Sequence, residues 1–243
     1  LQAKAFRLEK LSVTLAPFIA GCNAQHAGRA GMLAKADLVT GMVGEFPELQ
    51  GIIGGYYARN DGEVDSVASA IATHYRPLGP TDDLPETPTA KAVALADKID
   101  TLVGFFGIGA KPTGSKDPLA LRRAALGVIR IILDAELSLP LATVLQKAAE
   151  NFQFDAVNED ILPFIRDRLR VYLRDQNMRH DVVAAAFANS SGDDVCRMVD
   201  EARALAGFLA DGEGAGLMAG WRRVTSMLSA EEKKARKLFP ATT

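Results

Sequence analysis

Gly107, Gly109 and Gly114 alternate with Lys111 and Lys116 just ahead of an arginine-bearing apolar run. Glycines that allow close backbone approach, followed by lysines and a helix start, suit phosphate binding. A Walker-type loop needs a glycine, four residues, then Gly-Lys-Ser/Thr, all after a strand. Gly109 and Gly114 have that separation, but Gly-Ser-Lys follows and no strand pattern precedes. The dinucleotide fingerprint lacks its third glycine and its βαβ frame. The stretch reads as a helix–helix connection. Gly104, Gly107 and Gly109 end one helix, and Asp117 with Pro118 opens the next.

Charge says more than the glycines do. Lys111, Lys116, Arg122, Arg123 and Arg130 stand against one acid, Asp117, in a chain of net charge −2. Leu121, Ala125, Val128 and Ile132 line another face of the same helix, the expected core face. A second basic stripe, Arg166, Arg170 and Arg174, runs at helical spacing beside the apolar stripe Ile165, Leu169 and Leu173. Each stripe has two readings, a solvated face or a contact with RNA phosphates. In the second reading, free N–H groups at a helix start assist Lys116.

The elements that carry these residues are helical. Alternating patterns are nearly absent, and helical periodicity predicts segments at 2–20, 26–44, 47–58, 63–76, 88–105, 118–136, 140–151, 158–175, 179–188, 193–209, 214–228 and 230–237. The fold class is therefore all-α. The longest break, Arg76 to Thr89, holds four prolines and several acids and suits an exposed loop. A second break, Ser138 to Pro140, marks a candidate domain edge. Cys22 and Cys196 match no metal spacing and read as reduced thiols of a cytoplasmic protein. No apolar run is long enough for a membrane span. A helical pattern already running at Leu1 and a charged C-terminal segment suggest a piece of a longer protein.

Longer phrases carry a resemblance. "AKADLVTGMVGEFPELQGIIGGYYARNDGE" and "ADKIDTLVGFFGIGAKPTGSKDPLALRRAALGVIRII", with "HYRP" between them, closely resemble the β subunit of bacterial glycyl-tRNA synthetase of the α2β2 type. "RDRLRVYLRDQNMRHDVVAA" and "GWRRVTSML" extend the likeness over nearly the whole chain. The resemblance implies an HD-domain-like helical bundle over residues 1–137. It implies further helices over 138–243, leading toward an anticodon-binding domain that lies mostly or wholly beyond Thr243. It also implies a division of labour. The α subunit activates glycine with ATP and Mg, while β binds and positions tRNA-Gly. No catalytic residue and no cofactor are expected in this chain. The expected partners are the α subunit and tRNA-Gly, with neither membrane nor DNA.

HD phosphohydrolases bind metal through a His…His-Asp…Asp pattern. Asp37 matches the acid of the pair, but Ala36 stands in the place of its histidine. Asp97, in "ADKID", matches the last aspartate, and His74 could face the same pocket. These residues make a poor donor set for a transition metal. The expectation is a degenerate pocket of Asp37, His74 and Asp97 without metal, its acids capping backbone or pairing with Lys35, Lys98 or Arg29. The alternatives are a metal-dependent HD phosphohydrolase and a scaffold that docks the α subunit. Tyr56 and Tyr57 are expected at core and rim, Trp221 as a helix anchor, and His180 at the surface.

Overall fold

The computed structural model describes residues 1–112, 117, 119–153, 158–189 and 192–238, and among them twelve α-helices and no strand. The helices are α1 Gln2–Leu15, α2 Ala24–Leu33, α3 Gly41–Glu45, α4 Ile52–Asn60, α5 Asp65–Thr73, α6 Pro88–Gly107, α7 Leu121–Asp134, α8 Leu141–Glu150, α9 Asn158–Asp175, α10 His180–Asn189, α11 Val195–Ala210 and α12 Gly212–Leu238. No described helix is long and apolar enough to cross a membrane.

The axis of the bundle is α6. Pro88 sits in its first turn, and the Thr87 hydroxyl accepts the Ala90 N–H at 3.2 Å, so its start is fixed. Alanines and branched aliphatics cover it all round, and 14 of its 20 residues are buried, among them Asp97, Lys98 and Asp100. A helix apolar on every face belongs in a core. α1 buries Leu8, Leu11 and Leu15 against α6 and α2. α2 comes very close to α1 at Gly31, where a Cβ would stand 2.7 Å from the Leu8 carbonyl oxygen. α7 buries Leu121, Ala125, Val128 and Ile132, the four residues read as its core face. α9 buries Ile161, Ile165, Leu169 and Leu173. One apolar cluster joins these helices and continues through Leu137, Leu139 and Leu141, on both sides of the predicted break at Ser138–Pro140, as far as Ala202.

Several predicted segments divide or fuse, each for a local reason. The segment expected at 26–44 divides into α2, a 3-10 turn at Ala36–Val39, and α3. Thr40 is extended there, and its hydroxyl reaches back to cap the Val43 N–H. The segment at 47–58 splits at Gly51, whose φ of +80° is left-handed. Residues 214–228 and 230–237 fuse into α12, since neither glycine nor proline stands near Ser229. On α12, Leu217, Trp221, Val224 and Leu228 form an exposed apolar stripe. Tyr56 is 64% exposed, which corrects its expected place in the core.

Candidate functional site

The pocket of Asp37, His74 and Asp97 is organised around an ammonium group. Lys35, at the end of α2, is only 4% exposed. Its Nζ lies 2.9 Å from Asp97 Oδ2 and 2.8 Å from His74 Nε2, and 3.7 Å above the Tyr75 ring. The His74 Nδ1–H donates to the Ile71 carbonyl at 2.7 Å, which leaves Nε2 as an acceptor for the ammonium. Burial, reinforced by the Lys35 charge, pushes His74 down to about 3, so the ring is neutral at pH 7. Burial likewise lowers Lys35 to about 8 against the opposing pull of Asp97. Burial also drives the Asp97 carboxyl upward, but Lys35 and Lys4 outweigh it and hold the group below the usual carboxylate range. Lys4, from α1, reaches Asp97 Oδ1 at 3.0 Å and Asp100 Oδ2 at 3.4 Å, and Arg7 binds Asp100 at 2.7 Å.

Asp37 faces elsewhere. Its Oδ2 accepts the Gly51 N–H at 2.5 Å, and its Oδ1 has no partner among the described residues. It acts on Lys35 only as a more distant charge. The three residues therefore share a neighbourhood without converging on one point. Among the described residues, no three His, Cys, Asp or Glu side chains gather as metal donors. A divalent cation does not fit here, because Lys35 already occupies the donors that Asp97 and His74 would offer. Lys98 is a second buried cation, lowered to about 8 by burial. It donates to the Tyr75 and Arg76 carbonyls at 3.1 and 2.9 Å. Its stem crosses α7 at Gly127, where a Cβ would stand 2.4 Å from Lys98 Cε.

The basic candidates divide into engaged and exposed groups. Lys116 lies outside the described residues. The Asp117 carboxylate accepts the backbone N–H groups of Arg122 and Arg123 at 3.1 and 3.3 Å. The helix start that was expected to offer free N–H groups to an anion thus already holds its own carboxylate. α7 begins at Leu121, three residues later than predicted. Lys111 pairs with Asp160 at 2.6 Å. Arg130 donates to the Gly79 and Asp82 carbonyls at 2.8 and 2.9 Å and so ties the proline-rich loop to α7. The Arg123 side chain is 58% exposed, with Asp117 at 3.9 Å.

On α9, Arg166 donates to the Gly192 carbonyl. Arg170 binds Asp167 at 2.6 Å and lies 5.1 Å over the Phe187 ring. Arg174 is exposed and has no partner among the described residues. Arg168, Arg170 and Arg174 meet His180 of α10 around a cleft of about 430 Å³, with Asp167 as its one acid. The sequence reading missed Arg168, because it breaks the i, i+4 stripe. It also took His180 only as a surface residue. The turn that folds α10 back onto α9 brings both to the cleft. Lys4 and Tyr75 were missed as well. Only their partners from distant helices give them a role, and no local spacing signals it.

Comparison with known proteins identifies relatives along almost the whole chain. A family model described as glycyl-tRNA synthetase beta subunit matches residues 1–188. The chain is 52% identical over 230 residues to the glycine–tRNA ligase beta subunit of Phenylobacterium zucineum, covering 94% of this chain and 32% of that protein. It is 49% identical over 232 residues to the beta subunit of a Ruegeria species, covering 96% and 33%. It is 49% identical over 237 residues to that of Rhodospirillum centenum, covering 95% and 33%. The chain spans about a third of the length of these relatives.

Proposed function

The chain belongs to the glycyl-tRNA synthetase β-subunit family, and on that premise we propose that it is a non-catalytic, tRNA-binding portion of such a subunit. In this reading it holds tRNA-Gly for glycylation by an α subunit, which handles ATP and Mg. The observation that carries the reading is the cleft between α9 and α10. Three arginines and a histidine surround it, and Arg174 is left unpaired among the described residues. Guanidinium groups bind phosphate oxygens with two donors at once, and an arginine over an aromatic ring keeps its outer edge available. Phosphate contacts of this kind position an RNA without reading its sequence. The Lys35 ammonium between His74 and Asp97 argues against the alternative of an HD phosphohydrolase, whose chemistry needs those donors for metal.

The test is tRNA-Gly binding by the assembled α and β subunits at several salt concentrations, comparing wild type with Arg170→Gln/Arg174→Gln. Affinity should fall about tenfold. The slope of log affinity against log salt should drop by about 1.4 to 1.8, the loss of two phosphate contacts. An unchanged slope in a folded double variant would remove this cleft from the RNA surface.

A further inference from the structure

The cleft between α9 and α10 has two unlike walls. The chain leaves α9 through Asn177, left-handed at φ +62°, and returns as α10. Arg170 and Arg174, four apart on α9, form one wall with Arg168. Val183, Ala184 and Ala188 of α10 form the other. Ala184 and Ala188 are also four apart, so they share a face, and both are exposed. A row of phosphates accounts for the first wall. It gains nothing from the second, which is small, aliphatic and uncharged. The cleft's volume of about 430 Å³ lies within the range of small-molecule pockets, roughly 300–1,000 Å³. An RNA duplex keeps its bases stacked inside a convex rod and does not enter such a space. An unpaired nucleotide brings a phosphate and a flat base in one unit. Arg170 is prepared for the base. Its guanidinium lies 5.1 Å over the Phe187 ring, and Asp167 holds it at 2.6 Å. Guanidinium planes fixed in this way are platforms on which unpaired bases stack. Arg174 has no partner among the described residues, and neither has Arg168 Nε. A buried donor with no bond made is rare and marks a place for an acceptor.

We propose that this cleft takes an unpaired nucleotide of the tRNA, its base between Arg170 and the wall of Ala184 and Ala188, its phosphate on Arg168 and Arg174. The inference rests on the reading of the chain as tRNA-binding and narrows it: the cleft captures a single-stranded part of the tRNA, not the side of a duplex. The rest of the β chain is the competing occupant, since this chain spans about a third of its relatives' length. A protein segment there would cover three arginines and His180 opposite one acid, Asp167, which Arg170 already binds. Such a segment would have to bring acids of its own. A nucleotide carries its negative charge and its flat face together.

The experiment uses the assembled synthetase with full-length β and three RNAs: tRNA-Gly, a single-stranded oligoadenylate and a blunt RNA duplex of the same length. Ala184→Trp fills the cleft from its aliphatic wall and leaves every arginine in place. Affinity for tRNA-Gly and for the oligoadenylate should each fall about tenfold, the share of one stacked base, while affinity for the duplex stays within about twofold of wild type. Ala188→Trp should act in the same way, so either variant decides if the other does not fold. Ala185→Trp, exposed on the same helix but outside the cleft lining, controls for bulk and should bind all three RNAs as wild type does. Equal losses for oligoadenylate and duplex would make the cleft a general backbone contact and overturn the proposal, as would an oligoadenylate that wild type does not bind. Unchanged RNA binding with a lowered thermal midpoint in Ala184→Trp would place a segment of the β chain in the cleft and also overturn it. If Ala184→Trp binds all three RNAs normally while Arg170→Gln/Arg174→Gln flattens the salt slope, the tRNA-binding reading stands and this inference alone falls. If the arginine variant leaves the slope unchanged, both fall together.

Discussion

The first hundred residues and the segment around α9 use charge in opposite ways. Every described charged or histidine side chain that the fold buries, Lys35, Asp37, His74, Asp97, Lys98 and Asp100, lies in the first hundred. Most of them meet a fixed partner. Lys35 has Asp97 and His74, Lys98 has two carbonyls, and Asp100 has Arg7. On α9, by contrast, the arginines reach the surface, and Arg174 has no fixed partner among the described residues. A buried charge with its partners in place is architecture, because moving either one leaves the other desolvated. An exposed charge costs the fold little and remains available to a ligand. Substitutions in the two regions should therefore differ in kind as well as in size.

The largest effect is expected at Lys35. Lys35→Met leaves Asp97 with only Lys4 and removes the donor to His74 Nε2. Breaking a buried pair at one end costs about 3 kcal/mol or more. Arg174→Ala should change stability by less than about 0.5 kcal/mol. Chemical denaturation of the full-length subunit measures both. Equal losses would mean that the buried cluster is no more structural than the surface.

A smaller effect follows from pH. The folded value of His74, about 3, lies below its ordinary 6.5, so the unfolded chain takes up the proton first. That stability is complete above about pH 6.5 and is lost as pH falls toward 3. Asp97 is depressed below its ordinary 3.8 and adds to the loss below about pH 4. Thermal midpoints should therefore fall from pH 6.5 to pH 4. The fall should be shallower in His74→Gln, which no longer titrates. A slope that is the same in the variant would show that His74 does not drive the acid response.

Sequence reasoning recovered this contrast unevenly. The helical class and the core faces of α7 and α9 were legible, because periodicity alone determines which side turns inward. That the acids would cap backbone or pair with a nearby cation was legible, and Lys35 was named among the possible partners. That Lys35 bridges His74 and Asp97, residues 62 or fewer positions away, depends on α6 running through the middle of the bundle, which no local pattern announces. The basic stripes show the limit most clearly. Helical spacing grouped Arg166, Arg170 and Arg174 correctly on one helix. It could not tell that Arg166 would reach Gly192, or that Arg168 and His180 would complete a cleft with the other two.

The smallest predicted effect separates two arginines of one helix. Arg123 and Arg130 are seven residues apart on α7 and looked equivalent as candidate phosphate contacts. Their surroundings differ. Arg130 is held by the Gly79 and Asp82 carbonyls, whereas Arg123 is 58% exposed and has only a distant Asp117. Arg123→Ala should leave the fold intact and reduce the salt slope of tRNA-Gly binding by about 0.7 to 0.9, the share of one phosphate. Arg130→Gln should leave the slope unchanged and lower the thermal midpoint, because two loop carbonyls lose their donor and the proline-rich loop loses its tie to α7. Both variants are assayed in the assembled synthetase across a salt series, with unfolding followed by circular dichroism. If Arg130→Gln flattens the slope and Arg123→Ala does not, the roles are reversed, and engagement within the fold is no guide to which arginines meet RNA.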